Sequence, residues 1–364
     1  MKKILICVGT RPNLIKITQF EKHLKASGKF EYKLLHTGQH YDYKMNEIFF
    51  DELKIKKPDV FLDTKTGSQI SVITQIMNNV ETFLLDYKPD LVLVPGDVNS
   101  TFACAFTANR LGFKVAHIES GLRSFDREMP EEINRILTDN LSDLYFVTEP
   151  SGYKHLQDEG KKENQIHYVG NTMIDTLIAF RDKINSNKII KELNLKEGNY
   201  ALLTFHRPRN VDNEKNLRKI IALIQELSKK IEIVFPIHHR TKKNIDKYGF
   251  QDALDHKNIK LIEAQGYFEF IKLIQSCKMV ITDSGGIQEE STFLKIPCLT
   301  VRPNTERPIT ITEGTNTLLG LYPNKILSYV DKIIDGDYKK GIIPKKWDGK
   351  ATERIVKVLE DVIF

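Results

Sequence analysis

The chain has 364 residues and a mass of 42.0 kDa, a length that corresponds to roughly two domains. With 41% hydrophobic and 28% charged residues it has an ordinary globular composition, which excludes a collagen, a disordered tail protein and a disulfide-stapled miniprotein. The net charge of +6, from 54 Lys and Arg against 48 Asp and Glu, is mild, and the basic residues are spread along the chain. We therefore expect no nucleic-acid partner, because such proteins concentrate basic residues in one stripe, and expect the basic groups to serve a phosphorylated metabolite.

Membrane and secretion signals are weak in this sequence. No apolar run reaches the roughly 18 residues of a membrane span, so we expect no membrane partner. Residues 1–12 hold only about six apolar residues before a Gly-Thr-Arg turn, which favours a first core strand over a signal peptide. We therefore expect a cytoplasmic location. The cysteines lie in apolar stretches without a CxxC pair, so we expect buried free thiols at Cys7, Cys104, Cys277 and Cys298.

Short apolar runs alternate with longer amphipathic stretches along the whole chain. In the first half we predict strands at 3–8, 32–36, 91–95, 114–118, 144–148 and 165–169. Helices between them are predicted over 13–26, 69–87 and 131–141. After a polar stretch over 181–199 the pattern restarts, with predicted strands at 200–205, 231–236, 258–262, 278–282 and 297–301. Predicted helices in this half are 213–229, 239–247, 267–276 and 286–294.

Alternating strands and helices predict an α/β fold with parallel sheets that are buried on both faces. Two successive series predict two Rossmann-like domains that face each other across a cleft, with domains over 1–170 and 171–348. The amphipathic segment 349–364 is predicted to be helical, and one placement for it is against the first domain. In such sheets ligands bind outside the carboxyl ends of the strands, so the polar residues at those ends are the candidates for a site.

Three carboxylates follow predicted strands or open a helix in the first half. Asp97 follows the strand 91–95, Glu119 follows the strand 114–118, and Glu131 opens a helix after Pro130. Asp97 is also a good helix cap, so a purely structural role stays open for it. Converging at one sheet edge, the three would raise one another's pKa values and poise one of them as an acid or base. The adjacent Glu132 is better explained as a charge that favours a helix N-terminus.

Basic and glycine-rich turns follow other predicted strands. Arg11 and Lys16 lie near the start of the first helix, where an anion site and a plain βα turn are both possible. In the second half, His206 follows a strand and can transfer a proton, and a second basic turn follows at residues 237–240. The stretch 282–290, TDSGGIQEE, offers small side chains and N–H groups that suit a diphosphate. Zinc is disfavoured because no HExxH motif or i,i+4 histidine pair is present.

These motifs together resemble the non-hydrolysing UDP-N-acetylglucosamine 2-epimerase family. The matching stretches cover most of residues 3–316 in the same order and spacing: GTRPNLIK (9–16), HTGQHYD (36–42), PGDVNST (95–101), HIESGLRSFDREMPEEINR (117–135), HRPRNVDN (206–213), DSGGIQEE (283–290) and TERP (305–308). The resemblance implies a glycosyltransferase-B-type fold and a homodimer. It further implies catalytic roles for Asp97, Glu119, Glu131 and His206. Contacts to the nucleotide sugar are implied for Arg11, Lys16, Gln265, Phe270, Ser284, Gly285, Gly286, Glu290 and Arg307, with Phe270 beside uracil and Glu290 on the ribose.

The implied reaction interconverts UDP-GlcNAc and UDP-ManNAc for surface polysaccharide synthesis. UDP is eliminated to give a 2-acetamidoglucal and is added back with the opposite configuration at C2, a scheme that needs no metal or redox cofactor. Alternatives are a 2-epimerase of a modified UDP-sugar such as a diacetamido-uronic acid, a glycosyltransferase of the same fold, a hydrolysing 2-epimerase and a nucleotide-sugar sensor.

Three departures from the family pattern bear on the substrate, namely Asn13, Arg209 and His239. A second, activating UDP-GlcNAc site occurs in some members; Gln39 and His40 fit that pattern, but the loop 63–68 does not clearly fit it.

Overall fold

The computed structural model describes residues 1–39 and 49–363, and its backbone contacts divide the chain into two compact units. Unit 1 comprises Met1–Ala179 and the residues from Lys345 onward, and unit 2 comprises Phe180–Pro344. The first boundary lies beyond the predicted residue 170, because the helix Thr172–Ala179 packs on the helix that follows the first strand. His40, and the part of the HTGQHYD stretch from residue 40 on, lie outside the described residues.

Unit 1 contains a seven-stranded parallel sheet. Its strands are β1 (Lys2–Val8), β2 (Phe30–His36), β3 (Val60–Phe61), β4 (Leu91–Pro95), β5 (Lys114–Ile118), β6 (Leu144–Val147) and β7 (Ile166–Tyr168). Their order is β3-β2-β1-β4-β5-β6-β7, and each neighbouring pair is parallel. The order reverses between β1 and β4, which places the crevice typical of ligand sites at the carboxyl ends of these two strands.

Helices of unit 1 cover both faces of this sheet. They are α1 (Arg11–Ile17), α2 (Phe20–Ser27), α3 (Gln69–Tyr87), α4 (Asn99–Arg110), α5 (Pro130–Leu141), α6 (Pro150–Asp158) and α7 (Thr172–Ala179), with a 3-10 turn at Glu163–Gln165. The longest helix, α3, starts where the Ser68 side chain accepts a hydrogen bond from the Ser71 N–H. Its buried residues Ile76, Val80 and Leu84 recur every four positions and pack against the core of the sheet.

Unit 2 contains a second parallel sheet, of six strands. The strands are β8 (Tyr200–Thr204), β9 (Glu232–Pro236), β10 (Ile259–Ile262), β11 (Met279–Thr282), β12 (Cys298–Thr300) and β13 (Asn316–Leu318). Their order is β10-β9-β8-β11-β12-β13, so the order reverses between β8 and β11. Its helices are α8 (Arg181–Asn185), α9 (Ile189–Glu192), α10 (Pro208–Val211), α11 (Glu214–Ser228), α12 (His239–Tyr248), α13 (Tyr267–Ser276), α14 (Gly285–Leu294), α15 (Ile309–Thr312) and α16 (Pro323–Ile334), with a 3-10 turn at Asp252–Leu254.

The last helix, α17 (Ala351–Ile363), packs on α2 and α7 of unit 1. Asp175 caps it, because its buried carboxylate accepts hydrogen bonds from the Ala351 N–H at 3.0 Å and the Thr352 N–H at 2.6 Å. Just before the helix, the buried indole of Trp347 donates a hydrogen bond to the Thr148 carbonyl oxygen at 3.1 Å. These contacts fasten the returning chain to unit 1.

The α/β prediction with two Rossmann-like sheets is confirmed, and every predicted strand is present. The sequence analysis did not include β3 and β13, which are two and three residues long. The helix predicted over 13–26 is divided into α1 and α2, because the Thr176 hydroxyl donates to the Ile15 carbonyl oxygen, which residue 19 would bond in a continuous helix. The four cysteines are buried and free, as predicted. Within the described residues, none of the helices combines the length and apolar character that a membrane crossing requires.

Candidate active site

Glu119 and Lys16 form a nearly buried ion pair at the carboxyl end of the unit 1 sheet. Glu119 Oε2 lies 2.6 Å from Lys16 Nζ, and their side chains are only 4% and 6% exposed. Glu119 has a φ of +69°, a left-handed conformation that is uncommon for a residue other than glycine and is concentrated at functional sites. Its backbone N–H donates to the Phe146 carbonyl oxygen at 3.0 Å, which helps to hold this conformation.

Asn13 joins the turn after β1 to the end of β4. Its Oδ1 accepts hydrogen bonds from the N–H groups of Gly9 and Thr10, both at 3.2 Å. Its Nδ2 donates to the Pro95 carbonyl oxygen at 2.9 Å, and the side chain is 1% exposed. This departure from the family pattern therefore has a structural role in the backbone of unit 1.

Asp97 is held from α5, the helix that carries the third predicted carboxylate. Its carboxylate pairs with Arg135, and Asn134 Nδ2 donates to its carbonyl oxygen at 3.0 Å. Arg135 also pairs with Glu132, whose two oxygens accept from the N–H groups of Ser124 and Phe125, each at 2.9 Å. The interpretation of Glu132 as a simple helix charge was incomplete, because the side chain is buried and holds the loop that leads into α5.

Glu131 lies in the first turn of α5 and is half-buried. It is four positions before Arg135, so it shares a helix face with the residue that holds Asp97. Its carboxylate makes no hydrogen bond or ion pair with any residue of the ranges 1–39 and 49–363. Asp97, Glu119 and Glu131 thus lie at the same end of the sheet, and Glu131 is the one of the three whose carboxylate has no ion-pair partner among the described residues.

Arg11, at the start of α1, is directed toward an aromatic ring. Its guanidinium lies 5.8 Å from the ring centre of Phe49, and its side chain is half-buried. This contact is separate from the pair formed by Lys16 and Glu119, although all these residues lie beyond the carboxyl end of the sheet.

In unit 2, His206 is oriented by a buried aspartate. His206 Nδ1 lies 3.0 Å from Asp283 Oδ1, and the imidazole side chain is 40% exposed. The other Asp283 oxygen accepts from the Arg207 N–H and from Asn210 Nδ2, both at 3.0 Å. Burial alone would raise the pKa of Asp283, but the hydrogen bond and charge of His206, with Asn210 and Arg207, lower it below its ordinary value. Asp283 therefore acts as an ionised anchor for an accessible histidine.

A second histidine lies beside His206. The rings of His206 and His238 are 5.8 Å apart, and those of His238 and His239 are 4.0 Å apart. Burial, then the neighbouring His239, His206 and Arg240, lower the pKa of His238 to about 4. Its Nδ1 accepts a hydrogen bond from the Arg240 N–H at 3.2 Å. In the parts of the chain that the structure describes, no three His, Cys, Asp or Glu residues are arranged to hold a metal ion.

The start of α14, at the end of β11, has features that suit an anion. Ser284 precedes the helix, and its side chain makes no capping hydrogen bond, so the first N–H groups of the helix are open to a ligand. A Cβ at Gly285 would lie 2.8 Å from the guanidinium of Arg307 and 2.9 Å from Glu306, so glycine permits Arg307 to lie beside the turn. Ser284, Gly285, Gly286 and Arg307 are thus brought together.

Arg307 is preorganised by two buried carboxylates. Its Nε lies 2.8 Å from Glu289 Oε2, and its terminal nitrogen pairs with Glu306. Glu306 in turn accepts from Arg302 at 2.7 Å. The Gln288 side chain also ties the turn to α14, because its Oε1 accepts from Thr305 Oγ1 at 2.7 Å. The guanidinium is therefore placed before any ligand binds.

Glu290 lies one and a half turns into α14 and is 5% exposed. Burial and, after it, the neighbouring Glu289 raise the pKa of Glu290 to about 8. The neighbouring helix α13 contributes Tyr267, whose pKa is raised by burial and also by Glu290. Phe270 is half-buried on α13, and Gln265 precedes that helix with Nε2 donating to the Glu263 carbonyl oxygen at 2.8 Å.

Glu290 makes the stability of the protein depend on pH. Between its ordinary pKa of 4.5 and its folded pKa of about 8, the folded state retains a proton that the unfolded state has lost. The free energy of unfolding therefore decreases as the pH rises through this window, by up to about 1.4 kcal/mol per pH unit. Urea unfolding of the wild type and the Glu290→Gln variant should show this slope in the wild type and lose it in the variant. Glu263→Gln, at an exposed residue, is the control. If the free energy of unfolding has the same pH dependence in the wild type and in Glu290→Gln, the prediction is contradicted.

Comparison with known proteins gives the family. A family model described as UDP-N-acetylglucosamine 2-epimerase matches residues 22–360. The chain belongs to the UDP-N-acetylglucosamine 2-epimerase family. It is 43% identical over 340 residues to the UDP-N-acetylglucosamine 2-epimerase of Methanococcus maripaludis, covering 92% of both chains. It is 38% identical over 321 residues to the UDP-2,3-diacetamido-2,3-dideoxy-D-glucuronate 2-epimerase of Pseudomonas aeruginosa, covering 87% of this chain and 88% of that one.

Solved structures agree with this membership. The crystal structure of the Methanocaldococcus jannaschii UDP-GlcNAc 2-epimerase in complex with UDP-GlcNAc and UDP matches with a TM-score of 0.91, at 39% identity and 99% coverage of both chains. A lipopolysaccharide outer core galactosyltransferase shares the fold alone, with a TM-score of 0.57 at 12% identity. The glycosyltransferase-B-type fold that the resemblance implied for this 2-epimerase family member is thereby confirmed.

Sequence reasoning missed the residues that hold the candidate groups in place. Arg135 and Asn134 hold Asp97, and Asp283 holds His206. Asp283 belongs to the recognised DSGGIQEE stretch, but its partner lies 77 positions away along the chain. The signal that could have found Asp283 is a carboxylate at the end of β11, next to the strand that ends before His206.

Proposed function

We propose that this protein is a non-hydrolysing UDP-N-acetylglucosamine 2-epimerase, an isomerase that interconverts UDP-GlcNAc and UDP-ManNAc. The observation that carries the proposal is the set of carboxylates Asp97, Glu119 and Glu131 at one end of the unit 1 sheet. Family membership and the substrates of the similar proteins support the same reaction.

Epimerisation at C2 of the sugar requires groups that can remove and donate a proton. The proton at C2 is not acidic, because no carbonyl is adjacent to it in the ring. A base removes this proton while the C1–O bond breaks and UDP leaves, which gives a 2-acetamidoglucal. UDP then adds back at C1 while an acid protonates C2 from the opposite face. Each positioned proton transfer contributes about 10²–10⁴-fold, and stabilisation of the leaving diphosphate adds a comparable share.

We assign the proton transfers to unit 1. Glu131, which has no ion-pair partner among the described residues, carries one of the two transfers at C2. Asp97 and Glu119 are held in fixed positions by Arg135 and Lys16, which suits groups that must act on a defined face of the sugar. Arg11 and Lys16 add positive charge for the diphosphate next to these acids.

Binding of UDP is assigned to unit 2. The open N–H groups of Gly285 and Gly286, the Ser284 hydroxyl, which makes no capping hydrogen bond, and the preplaced guanidinium of Arg307 suit the diphosphate. Glu290 is assigned to the ribose hydroxyls, Phe270 and Gln265 to the uracil, and His206 to a proton or charge role at the leaving group. No metal or redox cofactor enters this scheme.

A second candidate substrate is an acidic diacetamido UDP-sugar. The Pseudomonas aeruginosa relative is named for such a sugar, and Arg209 stands exposed at the second position of α10, where a cation could meet an extra carboxylate. Purified protein should be incubated separately with UDP-GlcNAc and with the acidic UDP-sugar, without acceptor, metal or NAD. We expect UDP-ManNAc from the first and no product from the second. Product from the acidic sugar alone would replace the proposal by this candidate, and turnover only with an added acceptor would indicate a glycosyltransferase.

Assembly and cellular role complete the proposal. We propose a homodimer that acts in the cytoplasm and supplies surface polysaccharide synthesis; the homodimer and the biosynthetic role are carried over from the family resemblance. Exposed apolar side chains on unit 1 helices, such as Leu85 on α3 and Phe106 on α4, at 53% and 38% exposure, are available for a partner chain. A solution mass of twice 42.0 kDa is expected, and a mass of one chain would contradict the dimer.

A further inference from the structure

His117 is a fully buried histidine whose two ring nitrogens both lie against acceptors. Nε2 is 2.7 Å from the Gly96 carbonyl oxygen, and Nδ1 is 2.7 Å from Asp139 Oδ1. Both side chains are 0% exposed. A neutral imidazole carries one N–H, so with an ionised Asp139 both contacts are hydrogen bonds only when the ring holds a proton on each nitrogen. The geometry therefore matches an imidazolium paired with a carboxylate.

Asp139 makes further contacts that suit an ionised carboxylate. Its Oδ2 accepts from the Gly121 N–H at 3.1 Å and lies 2.7 Å from the guanidinium of Arg123. Burial would raise the pKa of Asp139, but His117 and Arg123 lower it below its ordinary value. Another titratable side chain close to the pair is Tyr145 of β6, which is in register with His117 and donates its O–H to the Ser142 carbonyl oxygen at 2.7 Å.

This pair joins the three elements that carry the candidate catalytic carboxylates. Gly96, whose carbonyl His117 holds, directly precedes Asp97. Gly121, whose N–H Asp139 holds, is two residues after Glu119, and His117 is two residues before it. Asp139 itself lies on α5, the helix that Glu131 opens. The buried side chains of His117 and Asp139 thus connect the loop after β4, the loop after β5 and the helix α5.

We propose that His117 and Asp139 form a buried imidazolium–carboxylate pair that positions Asp97 and Glu119 for proton transfer at the substrate. Neither residue touches substrate in this scheme; both are positioning residues. A buried ion pair is seldom the most stabilising filling of a core, since well-packed apolar residues often do as well. The pair instead orients the backbone, because His117 binds the Gly96 carbonyl in the loop after β4 and Asp139 binds the Gly121 N–H in the loop after β5. The kinetic part of this inference rests on the proposed function.

The Asp139→Asn variant tests the positioning role. The asparagine NH₂ would face either the donors on Gly121 and Arg123 or Nδ1 of His117. The variant therefore loses either the bonds to the loop after β5 or the charge that pairs with the imidazolium, while the side-chain volume stays the same. We expect kcat for epimerisation to fall on the order of 10²-fold, because a misplacement of about 1 Å has such an effect. KM for the UDP-sugar and the affinity for UDP should change less than about threefold, because most of the groups that we assign to UDP belong to unit 2. His117→Gln should likewise lower kcat with little change in KM or UDP affinity, because one amide cannot donate to both the Gly96 carbonyl and the Asp139 carboxylate.

His167→Gln is the matched control, because His167 is a half-buried histidine on β7 of the same sheet and its Nε2 has no hydrogen-bond partner among the described residues. It should leave kcat within about twofold of the wild type. A second readout uses the wild type alone. In protein labelled with ¹⁵N-histidine, the ring signals of His117, assigned by their loss in His117→Gln or through the labelled backbone, should show N–H on both nitrogens under the conditions of the kinetic assay.

Two results would overturn the inference: a folded Asp139→Asn variant with wild-type kcat, or a His117 ring with a single N–H in the wild type. A fall in kcat that is matched by an equal loss of folded protein would also count against it, because that outcome indicates a structural role only. If the wild type does not turn over UDP-GlcNAc, the proposed function fails, and the ring signals still decide whether the ion pair exists.

Discussion

Replacing Glu131 by glutamine is expected to lower kcat for epimerisation by about 10²–10⁴-fold, the usual contribution of a positioned acid or base. The change keeps the size of the side chain and removes its ability to exchange a proton. Because Glu131 makes no hydrogen bond or ion pair with the residues described, the fold should tolerate the substitution. Steady-state kinetics with UDP-GlcNAc, together with UDP titration by calorimetry, measure the effect, and UDP affinity should stay within about threefold of the wild type.

Glu128→Gln is the matched control for this experiment. Glu128 is exposed and lies three residues before Glu131, in the loop that leads into α5, where its N–H donates to Asp126 Oδ1 at 3.1 Å. Its loss should leave kcat unchanged within about twofold. A Glu131→Gln variant with wild-type kcat would remove Glu131 from the mechanism and leave Asp97 and Glu119 to carry both proton transfers.

The Asp283→Asn variant should lose both activity and stability. One carboxylate oxygen becomes an NH₂ group that faces donors on His206, Arg207 or Asn210, so hydrogen bonds are lost in a fully buried position. The free energy of unfolding should decrease by about 1–3 kcal/mol. We expect kcat to fall on the order of 10²-fold, because His206 loses the group that orients its ring. Urea unfolding and kinetics at one pH give both numbers.

His206→Gln separates the two effects of Asp283. The His206 ring is 40% exposed, so its replacement should change the free energy of unfolding by less than about 0.5 kcal/mol while kcat still falls. If Asp283→Asn keeps wild-type kcat in the folded protein, the orientation of His206 does not depend on Asp283, and this part of the account is wrong.

The positions of the catalytic candidates were predictable because they depend on the alternation of strands and helices. β4 is a short, continuous apolar run and β5 a short, mostly buried one; Asp97 lies two residues after β4, and Glu119 directly follows β5. Parallel neighbouring strands bring their carboxyl ends to one edge of the sheet, so the proximity of these residues follows from topology. Glu131 was predictable for a related reason, since Pro130 marks the start of α5.

The hydrogen-bond and ion-pair partners of individual side chains were not predictable from the same patterns. Glu132 and Arg135 are ordinary residues of an amphipathic helix by their spacing, and only the folded loop shows that they hold Ser124 and Asp97. The raised pKa of Glu290 depends on complete burial next to Glu289, which a local pattern does not report. Contacts between residues distant in sequence decide these features, whereas periodicity reports local structure.

Asn13 shows that a departure from the family pattern can have a structural reason that the sequence does not reveal. The residue differs from the family pattern near the first turn, which brought the sugar specificity into question. In the structure its amide serves Gly9, Thr10 and Pro95, so the departure concerns backbone support. Arg209, which is exposed, remains the position where a difference in substrate should be sought first.

The most direct test of the account is proton NMR of the purified protein with UDP-GlcNAc alone in D₂O. The account predicts that UDP-ManNAc appears with deuterium at C2, because the C2 proton is removed and replaced from solvent in every turnover. UDP-ManNAc that retains its original C2 hydrogen would contradict the elimination route. Free ManNAc with UDP, or an unchanged spectrum from protein that still binds UDP, would contradict the proposed epimerase itself.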